Sequence, residues 1–107
     1  MDLKSNINKI HADLLDKYDV MVSEKSAYKI GNYVEFLIKE NNYELKLQID
    51  KIEISKPSFN WRYFSNPHDK NSHIVERTSN INNFKDHVKD IFDNKRFDTD
   101  YINLITK

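Results

Sequence analysis

The chain has 107 residues, 17 basic and 17 acidic side chains for a formal net charge of zero, no cysteine and a single glycine, Gly31. This excludes disulfide frameworks, thiol nucleophiles, cysteine–zinc sites and the glycine-rich loops that cradle phosphates or present a nucleophile on a tight turn. Balanced charge offers no domain-wide basic field for nucleic acid, and no apolar run approaches the roughly 18–20 residues of a membrane helix. The length predicts one domain, residues 1–107, with one core. Hydrophobic residues at 38% and charged residues at 32% predict a folded domain with a wet surface. The start, Met1-Asp2-Leu3-Lys4, lacks a basic-then-apolar leader, so the expected location is the cytoplasm. The wealth of Asn, Ile and Lys, all A/T-rich in their codons, suggests an AT-rich bacterial genome or one of its phages or mobile elements.

Leu3, Ile7, Ile10 and Leu14 recur at helical spacing and predict an N-terminal helix, with Leu15 and Tyr18 widening its apolar stripe. Val20-Met21-Val22 reads as a short strand or the start of the sheet, and Ser23–Ser26 as a loop. Val34, Phe36 and Ile38 alternate with their neighbours as in a strand. A hairpin connection is expected at Glu40-Asn41-Asn42, with asparagine in place of glycine. Tyr43, Leu45, Leu47 and Ile49 form the next strand. The parity change between Ile49 and Ile52 predicts a bulge or bend at Asp50-Lys51. Phe59, Trp61 and Tyr63 share one face of an aromatic strand, read as core, while Arg62 and Phe64 take the other face. A loop follows over residues 65–71, then a last strand over His73–Thr78 with Val75 and Arg77 on one side. Ser79 or Asn80 is expected to cap a helix bearing Ile81, Phe84, Val88, Ile91 and Phe92. Asn94 is expected to close that helix in a left-handed conformation, and Asp98 or Thr99 to open a short final helix. Gly31 reads as the hinge from the N-terminal helical region into the sheet. The predicted fold class is α+β: an N-terminal helix, an antiparallel meander of about four strands and C-terminal helices packed on one face.

Chemistry is sparse. His68 and His73 match no metal-ligand spacing, and Asp98 and Asp100 fit helix-start roles better than paired catalytic carboxylates. His11 and His87 fall on polar helix faces and read as solvated. No catalytic residue, metal site or cofactor is expected. Arg62 with Phe64 forms a candidate partner patch, which Lys70 and Arg77 could extend together with Lys56; Trp, Tyr and Arg dominate protein-binding hot spots. The same aromatic and basic strand would suit single-stranded nucleic acid.

The stretch Ser26-Ala27-Tyr28-Lys29-Ile30-Gly31-Asn32-Tyr33-Val34-Glu35 resembles a segment of phage-encoded inhibitors of type II CRISPR nucleases, which similarly set Ser-Ala-Tyr-Lys before Gly-X-Tyr and a strand. The resemblance implies a small inhibitor that binds a protein. The inhibitor it resembles is strongly basic and this chain is neutral, so no functional residue is carried over. The expected function is a non-enzymatic protein-binding module of bacterial or phage origin that inhibits a defence nuclease or other effector. The alternatives are a nucleic-acid-binding accessory protein and an immunity protein or antitoxin. A protein partner, no membrane partner, and a monomer or an edge-paired homodimer complete the expectation.

Overall fold

The computed structural model describes residues 3–28, 31–69, 71 and 73–97. Their elements run α1 (Leu3–Leu15), β1 (Asp19–Ala27), β2 (Gly31–Glu40), β3 (Tyr43–Asp50), α2 (Lys51–Ile54), β4 (Ser58–Phe64), β5 (Ile74–Asn80) and α3 (Phe84–Asp93). The five strands form one antiparallel sheet in the order β1-β2-β3-β4-β5. This is the expected α+β meander with one strand more. The final helix expected after Asp98 lies outside the described residues.

Side-chain alternation sends Val34, Phe36, Ile38, Leu45, Leu47, Ile49, Phe59, Trp61 and Tyr63 to one face, where all are buried. Register keeps these positions aligned across strands: Val34 pairs with Ile49, Phe36 with Leu47, and Leu47 with Tyr63. Helices α1 and α3 cover this face with Ile10 and Leu14 from one and Phe84, Val88, Ile91 and Phe92 from the other. Phe84 packs its ring against Trp61 at 5.0 Å, Phe59 at 5.6 Å and Phe36 at 6.5 Å, joining α3 to β4 and β2. Trp61 Nε1–H donates to Ser79 Oγ at 2.8 Å, and the same hydroxyl bonds His87 Nδ1. The core therefore satisfies its one indole donor through β5 and α3.

Several expectations need correction. Ser23–Ser26 is no loop: β1 pairs with β2 along its full length, from Asp19 opposite Lys39 to Ala27 opposite Gly31. An edge strand can be polar on its outer side, which hides it from an alternation test. Gly31 (φ 84°) opens β2 and closes the β1–β2 hairpin, so it joins two strands rather than a helix to the sheet. Nothing stands within 4 Å of the place a Cβ would take, so the need for glycine there is conformational alone. Asn41 (φ 55°) sits in the two-residue β2–β3 connection, as expected.

Asp50-Lys51 holds no bulge. One helical turn, α2, buries Ile54 completely and leaves Ile52 76% exposed. Leu15 is 51% exposed and does not widen the stripe of α1. Buried Asn6 does, donating from Nδ2 to the Ile54 carbonyl at 2.8 Å and so tying α1 to α2. Ser79 lies inside β5, and Asn80 and Asn83 hydrogen-bond each other ahead of α3. Lys95 (φ 52°), not Asn94, takes the left-handed position after α3. His87 is half-buried against Ser79 instead of solvated.

Asn6→Ala leaves a buried carbonyl without its donor and is expected to lower unfolding free energy by about 1–3 kcal/mol, while exposed Leu15→Ser stays within about 0.5 kcal/mol of the parent. Urea denaturation midpoints measure both.

The Tyr18 hydroxyl is buried and has no hydrogen-bond partner among the described residues. Burial, helped by the Glu40 and Asp93 carboxylates, pushes its phenol up to about 12 from 10.0. A folded-state value above the unfolded one favours the protonated phenol. The associated stability is complete below about pH 10 and is lost as pH rises toward about 12. Burial also raises Tyr63, so a second tyrosine contributes in the same direction. Tyr18→Phe is expected to be at least as stable as the parent at about pH 8 and to exceed it by a wider margin at about pH 11, since the Tyr18 share of the alkaline loss is then gone. Urea unfolding at the two pH values decides it.

Candidate interaction face

Helices α1 and α3 pack on one side of the sheet, and neither covers the other. Strand register arranges the side chains of this open face in rows. One row crosses all five strands: Met21 pairs with Leu37, Leu37 with Lys46, Lys46 with Phe64 and Phe64 with Ile74. Met21 is 61% exposed and Ile74 53%, at the two edges; Leu37 and Phe64 are half-buried. Lys46 stands in the middle, its ammonium 5.7 Å from the centre of the Phe64 ring.

The next row is polar: Ser23, Glu35, Gln48, Arg62 and Glu76 in successive strands. Glu35 and Gln48 are buried although they point away from the core. Longer side chains cover them. Lys25 reaches Glu35 at 3.2 Å and Lys46 stands 3.9 Å from it. Arg62 donates from Nε to Gln48 Oε1 at 3.0 Å and grips Asp50 through both terminal nitrogens, at 3.1 and 3.4 Å. This forked pairing fixes the guanidinium in place. Beyond it, a groove of about 470 Å³ is lined by Asp50, Glu53, Asn60, Glu76 and Thr78 among others.

Arg62 and Phe64 thus share the open face, as the sequence placed them. Arg77 borders the same groove, but its guanidinium is bound elsewhere. It pairs with Trp61 in register and turns toward α3, where Nη1 bonds Asp90 Oδ2 at 3.1 Å and Arg96 Nε bonds the same oxygen at 3.0 Å. The Arg77 hydrogen bond, reinforced by Arg96, holds the Asp90 carboxyl below its usual range. Lys56 binds Glu53, and Lys70 lies outside the described residues. Arg62, Arg77 and Lys56 are thus each paired with a carboxylate, Asp50, Asp90 and Glu53, so they do not form a basic patch. Phe59, Trp61 and Tyr63 are in the core, which removes them as a stacking platform for bases.

Among the described residues, no group of three or more His, Asp or Glu side chains is placed to hold a metal ion. His68 Nε2 lies 3.3 Å from Glu44 Oε2, and the Ser65 amide and hydroxyl both donate to the His73 carbonyl. No described helix is long and apolar enough to cross a membrane. No known protein family, curated protein or solved structure matches this chain.

Sequence reading missed Met21, Leu37, Lys46 and Ile74 as members of the face. A signal was present in the unbroken runs Phe36-Leu37-Ile38 and Tyr63-Phe64, where an apolar residue occupies the outward position of a strand. At the tip of the β1–β2 hairpin, Tyr28 is fully exposed.

Arg62→Ala removes three hydrogen bonds and uncovers the buried Gln48 amide. It is expected to cost about 1–3 kcal/mol of stability, and Asp50→Ala less, since Arg62 then keeps Gln48. Chemical denaturation of the two single variants and the double variant gives the coupling between them.

Proposed function

We propose that this chain is a small protein-binding module that acts through the open face of its sheet. The observation that carries this reading is the row of Met21, Leu37, Phe64 and Ile74 around Lys46, apolar side chains at outward positions of four strands. Scattered exposed hydrophobics are ordinary, but aligned ones with ordered charged neighbours suit a partner surface. The bonded group of Gln48, Arg62 and Asp50 supports it further, because side chains already held in place lose little freedom on binding.

The resemblance at Ser26–Glu35 and the exposed Tyr28 at the hairpin tip extend the reading to an inhibitor of a bacterial defence nuclease or other effector. Such a protein works by occupying a surface of its target and needs no chemistry of its own.

The test is retention of proteins from a bacterial lysate by the immobilised chain. A specific partner should be lost, at least tenfold in apparent affinity, with Phe64→Ala and with Met21→Asp, and kept with Leu15→Ser on the helical side. Retention that ignores the two sheet-face variants contradicts the proposal.

A further inference from the structure

We infer that the open face receives an amphipathic α-helix of another protein, about thirteen residues long, with apolar side chains toward its ends and a carboxylate at its centre. This rests on the protein-binding reading above and names the class of partner.

The first argument is backbone satisfaction. Under the row, β2, β3 and β4 are paired on both sides, β3 with β4 at Lys46–Phe64, Leu47–Tyr63 and Gln48–Arg62, so their N–H and C=O groups there are taken up by the ladder. Along the row, an extended peptide can add ladder hydrogen bonds only at β1 or β5, the edges. A segment lying on the face must satisfy its own backbone, which a helix does. The second argument is size. Five strands at about 4.8 Å spacing set the row from Met21 to Ile74 at about 19 Å, the length of about thirteen helical residues at about 1.5 Å each.

The third argument is charge. Arg62 has its counter-ion in Asp50. Lys46 shares its counter-ion: Glu35 stands between two ammoniums, Oε1 at 3.2 Å from Lys25 and Oε2 at 3.9 Å from Lys46, which is beyond hydrogen-bond distance, and the centre of the Phe64 ring is 5.7 Å from the Lys46 ammonium. A helix laid along the row would remove Lys46 from water between Leu37 and Phe64. An ammonium desolvated without a hydrogen-bonded anion is strongly unfavourable. The helix that fits therefore brings an Asp or Glu to the middle of its apolar stripe.

The experiment is selection from a displayed library of helical peptides of about fifteen residues, with an apolar stripe fixed along one side and the central position of that stripe randomised. The full chain and its Lys46→Gln and Met21→Asp variants serve as targets, with thermal melts confirming that all three are folded. The parent is expected to enrich Asp or Glu at the centre. The selected peptides should bind Lys46→Gln about tenfold more weakly, and Met21→Asp at least as weakly. Peptides that enrich without a central acid, yet lose binding on Met21→Asp, overturn this inference and leave the protein-binding face standing. Peptides indifferent to Met21→Asp, or no enrichment, overturn the inference as well. So does a parent dimer that Met21→Asp converts to a monomer, which would give the face to a second copy of the chain.

Discussion

Apolar side chains at alternate positions of β2, β3 and β4 set the architecture. Val34, Phe36 and Ile38, then Leu45, Leu47 and Ile49, then Phe59, Trp61 and Tyr63 all point the same way once the strands pair in register. A chain of this length has apolar material for one such face. Helices α1 and α3 dock where that face is, and Phe84 fits among Phe36, Phe59 and Trp61 as the main contact between layers. Everything else follows from this one-sided burial: Trp61 needs Ser79, Ser79 meets His87, and α1 and α3 leave the opposite face of the sheet uncovered.

The open face manages by covering itself. Glu35 and Gln48, which would otherwise be half-exposed sheet residues, are closed over by Lys25, Lys46 and Arg62. Arg62 therefore serves in the face as a fixed support, held by Gln48 and Asp50, more than as a free arm for a partner. Lys46 is the cation left with the weaker bond. The apolar side chains flank it, and this combination distinguishes the face from an ordinary solvated sheet surface.

Much of the fold is legible in the sequence because period-two alternation is strong in β2, β3 and β4. The aromatic face of Phe59, Trp61 and Tyr63 is read correctly for that reason. Edge strand β1 is half hidden, since Ser23–Ser26 needs no apolar character when only one side of the strand is paired. The parity change before Ile52 is visible, but a bulge and a single helical turn both shift parity; only the burial of Ile54 separates them. The site is legible in part. Arg62 and Phe64 share a strand face by simple counting. Arg77 is misplaced in the patch because its side depends on pairing opposite Trp61, a register that a single strand does not contain. The row from Met21 to Ile74 needs four registers at once, and no local pattern supplies them.

The account stands on the sheet face being open in solution. Methyl NMR of the full chain with a soluble paramagnetic agent measures this directly, because relaxation enhancement reports each methyl's distance from solvent. Met21 and Ile74, 61% and 53% exposed, should broaden strongly, while Ile38, Leu45 and Leu47, all fully buried, stay sharp. Protection of Met21 and Ile74 to the level of the core would show the face covered and would contradict the account.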